Sequence, residues 1–183
     1  MKVCILSDSH DNRRLLGTAV EHAKAMGAQA VLHCGDVVAP TTLRVLQKFD
    51  LPVHVIHGNN TGDLYNMTRL AAESNSVIRY HGQDAAFTLA DRSLFLVHYP
   101  HYAHALACTG DYDLVCCGHD HKASVAEITN IKGGKTWLVN PGTVGGVGAP
   151  PTYVLADLLT MRFDTVEIEA EAASILPPVT PHA

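Results

Sequence analysis

The strongest constraint on this 183-residue chain is positional: polar clusters stand directly behind short apolar runs. Val3-Cys4-Ile5-Leu6 ends in Ser7-Asp8-Ser9-His10, Ala30-Val31-Leu32 leads to Gly35-Asp36, and Val53-His54-Val55-Ile56 leads to Gly58-Asn59-Asn60. The runs over 93–97 and 113–117 end in His98 and in Gly118-His119-Asp120-His121. Apolar runs of this length bounded by turn formers read as strands. Parallel strands deliver their carboxyl ends to one edge of a sheet, where α/β folds bind ligands, so clusters far apart in sequence are expected to converge.

Between the first runs lie helical patterns. Leu15, Leu16, Ala19, Val20, Ala23 and Met26 recur at helical spacing. A second helix opens at Pro40 with Leu43, Leu46 and Phe49 on one face, and Leu64, Met67, Leu70 and Ala71 mark a third. Alternating strands and helices imply parallel strands with helices on the faces. From Val77 onward strands dominate, over 84–89, 93–97, 113–117, 123–128, 135–139, 152–158 and 162–168, with one helix near 101–108. The expected fold class is α/β, a two-sheet sandwich with the functional site at the carboxyl edge of the strands. One domain is expected over 1–176, followed by a flexible tail at 177–183 marked by Pro177, Pro178 and Pro181.

Composition narrows the partners. A formal net charge of −5 offers no general positive field for a polyanion, which disfavours nucleic acid. The first apolar run is too short for a signal peptide or a membrane span, so a cytoplasmic protein without membrane contact is expected. Cys4, Cys34, Cys116 and Cys117 lie in apolar runs and read as buried reduced thiols. A homo-oligomer is left open.

Carboxylate, imidazole and amide donors together suit manganese, iron, zinc or nickel better than an all-oxygen magnesium or calcium shell. Residues two apart in an extended segment point to the same side, which would align Asp8 with His10 and His119 with His121. Singly, each residue has an ordinary explanation: a strand-end Asp is commonly a cap or turn former, and Gly-Asp and Gly-Asn are ordinary turn dipeptides. His33 and His57 read as core or surface residues, and Arg13 and Arg14 as solvated ones. The Gly142 to Gly148 segment lacks the Lys-Ser/Thr ending of a P-loop and reads as a site-lining or flexible loop.

In this order, Asp8-Ser9-His10, Gly35-Asp36, Gly58-Asn59, His98, Gly118-His119-Asp120-His121 and Asn140-Pro141-Gly142-Thr143 resemble the calcineurin-like metallophosphoesterase superfamily, in particular its small single-domain prokaryotic phosphodiesterase branch. The resemblance implies two divalent metal ions, manganese foremost. It implies one ion on Asp8, His10 and His121, another on Asn59, His98 and His119, and Asp36 bridging both. It also implies a small-molecule phosphate ester as substrate and a bridging water acidified to hydroxide as nucleophile. The family often has His-Gly-His where this chain reads His98-Tyr99-Pro100-His101, which leaves His101 or His104 as alternative donors. Its place behind an apolar strand favours His98.

A second departure is Gly58-Asn59-Asn60-Thr61, where many members carry Gly-Asn-His-Asp with the His near the leaving group. Asn60 cannot donate a proton as an acid. Asn60 and His101 are therefore the candidate residues on the leaving-group side. The rival expectation is a non-catalytic metal-binding or protein-interaction scaffold of the same fold.

Overall fold

A computed structural model describes residues 1–169; the tail expected at 177–183 and the domain end expected at 176 lie outside the described residues. Helices form where capping and periodicity agree. In α1 (Arg13–Ala25) the Asn12 side chain accepts a hydrogen bond from the Leu15 amide, 3.2 Å. Pro40 opens α2 (Pro40–Leu43), Asp63 caps α3 (Leu64–Ala71), and α4 (Pro100–Thr109) starts on Pro100 and stops at the left-handed Gly110.

The second helix differs from expectation. After four α-helical residues it tightens into a 3-10 helix over Arg44–Phe49. Leu43, Leu46 and Phe49 are spaced by three, and a 3-10 helix eclipses residues at that interval. All three are buried on its inner face.

The first sheet contains β1 (Lys2–Leu6), β2 (Ala28–His33), β3 (Val53–Val55) and β4 (Ile78–Tyr80), all parallel, with β10 (Thr152–Asp157) antiparallel beside β1 and β11 (Arg162–Glu167) antiparallel beside β10. The second has the order β5 (Ala85–Leu89), β6 (Arg92–Leu96), β7 (Leu114–Cys116), β9 (Lys135–Pro141), β8 (Ala123–Thr129). Its three central strands run parallel and its outer pairs antiparallel.

Alternation along the strands builds the layers. Val3, Ile5, Ala30, Leu32, Leu114 and Cys116 face the space between the sheets, where they meet Leu94, Leu96 and Val139. Their neighbours Cys4, Leu6 and Val31 face α1 and the 3-10 segment, packing with Leu16, Val20 and Leu46. Val115 and Cys117 turn the other way, against Ala103 and Ala107 of α4. The result is a four-layer α/β sandwich. Strands buried on both faces read as continuous apolar runs, which is why their polar ends stand out.

Candidate metal centre

Beyond the last residues of β1, β2, β3, β6 and β7 the backbone ladder continues into loops. The Asp8 amide donates to the Gly35 carbonyl at 2.9 Å, His10 to Asp36 at 3.0 Å, Asp36 to His57 at 2.9 Å and Gly118 to His98 at 3.0 Å. The first three bonds hold the strand-end loops of the first sheet together and the last does the same in the second, while the His119 amide, donating to Asp8 Oδ2 at 2.9 Å, joins the two sheets. Asp8, His10, Asp36, His119 and His121 all have positive φ, between 41° and 75°. Non-glycine residues in that region carry about 1–3 kcal/mol of strain each, and such strain gathers at functional sites. The extended reading that aligned His10 with Asp8 and His121 with His119 is thereby corrected: left-handed turns, not a pleat, aim these side chains. The crossing of loops is close enough that a Cβ on Gly118 would collide with Asp8 Oδ2 at 2.6 Å.

One group of donors gathers around Asp8. Its Oδ1 lies 3.4 Å from His121 Nε2 and 3.7 Å from His10 Nε2, and the two imidazole nitrogens are 3.2 Å apart. Asp36 Oδ2 is 3.9 Å from His10 Nε2. The other group gathers on the far oxygen of the same carboxylate: His98 Nε2 is 3.3 Å from Asp36 Oδ1 and 2.8 Å from Asn59 Oδ1, and His119 Nδ1 is also 2.8 Å from Asn59 Oδ1. Asp36 stands between the groups.

The ring states follow from their outer partners. A carbonyl only accepts, so His121 Nδ1 donates to Val147 (2.6 Å) and His98 Nδ1 donates to Cys34 (2.8 Å). A ring in its neutral form then turns an Nε2 lone pair on carboxylate and amide oxygens. Acceptors facing acceptors repel unless positive charge, an ion or a ring proton, lies among them. Asp8 makes the same demand: Oδ2 accepts the His119 amide at 2.9 Å, whereas Oδ1 is buried without a hydrogen-bond partner. An orphaned buried carboxylate oxygen is costly, and cation coordination satisfies it. The donor set fits divalent transition-metal ions.

Electrostatics separate the two carboxylates. Burial pushes Asp8 above its ordinary range, outweighing the Ser7 hydrogen bond and the His98 charge. Burial also opposes ionisation of Asp36, but hydrogen bonds from His98 and from the Asn60 side chain and amide prevail, holding it well below that range. Burial disfavours charge on His98, yet its bonds to Asp36 and the Cys34 carbonyl raise it.

A family model for the calcineurin-like phosphoesterase superfamily domain matches residues 1–161. The chain belongs to this superfamily. Among relatives, a phosphodiesterase of Methanocaldococcus jannaschii is 25% identical over 175 residues, covering 92% of this chain and all of that protein. The solved structure of an archaeal phosphodiesterase superposes with a TM-score of 0.81 at 22% identity, covering 92% of this chain and 100% of that one. Vps29 from Entamoeba histolytica shares the fold at a TM-score of 0.62 and 17% identity, with 92% and 100% covered. As a calcineurin-like phosphoesterase the chain falls in a metal-dependent family of phosphate-ester hydrolases, and no helix among the described residues is long and apolar enough to cross a membrane.

The remaining candidates lie as follows. Asn60 turns its carboxamide back onto Asp36 Oδ2, 2.5 Å, so it braces the central carboxylate. His101 is exposed on α4 with its ring 4.1 Å from that of Tyr102, and His104 lies near Cys108 on the same helix. Arg13 and Arg14 are exposed. His33 is buried and does more than pack: it accepts the Gly35 amide on Nδ1 (3.2 Å) and donates from Nε2 to Ser9 Oγ (3.1 Å), joining the loop of Asp8 and His10 to that of Asp36. Asn140 donates to Gly118 O and Asp120 Oδ1, and Thr143 Oγ donates to Asp8 O. The Asn140-to-Thr143 motif thus clamps the loops of Asp8 and His119. Its position at the end of β9 obeys the same strand-end rule that marks the other clusters, whereas the carbonyls of Cys34 and Val147 carry no side-chain signal at all.

Proposed function

We propose that this protein is a phosphodiesterase that works with two divalent ions, manganese, iron, zinc or nickel. Asp8, His10 and His121 hold one, Asn59, His98 and His119 the other, and Asp36 serves both. The observation that carries the reading is the buried, partnerless Asp8 Oδ1 facing two imidazole nitrogens, mirrored by the oxygens converging on His98 Nε2. Bound there, the ions supply hydroxide at neutral pH and positive charge opposite phosphoryl oxygens. The chain's own residues do the rest. Cys34 and Val147 fix the ring orientations, Asn60 and the Asn59 and Asn60 amides orient Asp36, and the Asn140 clamp keeps the loops in register. The M. jannaschii relative named as a phosphodiesterase supports diesters over monoesters.

Elemental analysis of purified protein, run beside hydrolysis of mono- and diesters with different metals added, tests this. About two ions per chain and diester turnover abolished by a strong chelator are expected. Bound metal without turnover of any ester would favour the scaffold reading instead.

A further inference from the structure

A cleft of about 520 Å³ opens beside the centre and shares Gly58 and His98 with it. That volume suits a small organic group. Three other clefts are lined by none of the candidate ligands. The walls of this one are rings and aliphatic chains: Phe95, Val97, Tyr99, Tyr102 and Leu106, with Gln83 and Asp84 at its polar side. Aromatic contact runs unbroken from the ligands into it, since the Tyr99 ring centroid lies 4.8 Å from His119, 5.4 Å from His98 and 5.8 Å from Tyr102. Packing explains Phe95, whose ring meets Tyr112 at 5.0 Å. It does not explain Tyr102, which is 53% exposed beside an apolar recess.

We propose that this cleft is the leaving-group subsite, shaped for a planar aryl or heteroaryl group carried by the ester. The proposal rests on the phosphoesterase reading above. With the phosphoryl group at the centre, an aromatic alcohol projecting past Gly58 and His98 lies among Tyr99, Tyr102 and Leu106, where stacking and apolar burial hold it. In the hydrolysis, a water oxygen bonds to phosphorus as the bond to the aryl oxygen breaks. The electron pair leaves on the aryl oxygen, and the proton lost by water passes to solvent.

Binding of phenylphosphonate and methylphosphonate, neither hydrolysable at the P–C bond, to metal-loaded protein isolates the subsite from chemistry. Burial of a ring predicts at least about 10-fold tighter binding of the phenyl compound by calorimetry. Tyr102→Ala removes a wall and Ala105→Trp fills the recess from an exposed helix position. Each should pull the phenyl-to-methyl ratio toward one and raise KM for phenyl diesters more than it lowers kcat, with metal content unchanged. If Ala105→Trp fails to fold, Tyr102→Ala carries the test. Equal affinity in the wild type, or a ratio untouched by the folded variants, overturns the subsite while leaving a hydrolytic enzyme in place. Failure to bind either phosphonate, together with failure to hydrolyse any ester, overturns the phosphoesterase reading beneath it.

Discussion

The two halves of the centre are built on different principles. Asp8, His10 and His121 include a carboxylate that is wholly buried, whereas Asn59, His98 and His119 contribute only neutral donors and draw their negative charge from Asp36. Asn59 and His119 are exposed, and the aromatic cleft opens on that side. Charge is thus concentrated at the buried Asp8 and the shared Asp36, and the half without a carboxylate of its own faces the space a substrate would enter. Under the proposed function the Asp8 half holds its ion the more tightly, and the Asn59 half exchanges it.

The largest effect expected breaks the comparison at its shared member. Asp36→Ala should strip both ions and lower activity by more than the roughly 10–100-fold that loss of an outer partner costs. Asp8→Ala and Asn59→Ala should each initially weaken one ion. Metal counts on the three proteins decide the matter, and equal loss in all three would remove Asp36 from its bridging role. A chelator titration of the wild type sharpens the contrast, with the first ion released expected to be the one restored last in Asn59→Ala.

Next in size is the effect of Asn60, on the open half. No acidic group is aimed at a leaving group from that position, because the carboxamide is engaged with Asp36. Rates across phenyl diesters of equal size but graded acidity should therefore climb steeply. A positioned general acid contributes about 10²- to 10⁴-fold, so Asn60→His should flatten that dependence, in part only, as Thr61 offers no carboxylate to orient a new imidazole. A flat dependence in the wild type would show that another group supplies the proton, with His101 the first to replace.

The smallest effect concerns acid. Burial holds His33 down to about 3 and His54 to about 4, so both stay neutral in the fold while the unfolded chain takes up protons below about 6.5. The unfolded state then binds more protons, and stability present above pH 6.5 is lost as pH falls toward those values. Melting temperature followed from pH 7 to pH 4 should show the decline, and His33→Gln and His54→Gln should each flatten it. Only His33→Gln, which ties Ser9 to Gly35, should also weaken metal binding. An identical metal affinity in both variants would mean that His33 supports the core and not the Asp8 half.

Much of this was legible in the residue order. Strands buried on both faces must be apolar throughout, so Asp8, Asp36, Asn59, His98 and His119 announce themselves by interrupting such runs. The spacing of Leu43, Leu46 and Phe49 already held the 3-10 period, although a proline-initiated helix was the simpler expectation. Loop conformation was not legible. An aspartate or histidine at positive φ looks like any other in sequence, and the amide bonds that accompany it, from Asp8 to the Gly35 carbonyl and from His119 to the Asp8 carboxylate, span 27 and 111 residues of chain. Backbone partners such as the carbonyls of Cys34 and Val147 were equally hidden, since every residue has one.

His10 and His121 meet across 111 residues of chain, and each half of the centre takes donors from loops of both sheets. No amino-terminal fragment that stops short of His119 carries even one complete set of donors. Loop closures of this length come late in folding because their entropy must be met before any contact repays it. Under the proposed function an ion held there would act as a rivet driven only after the two sheets have docked, slowing their parting more than it hastens their meeting.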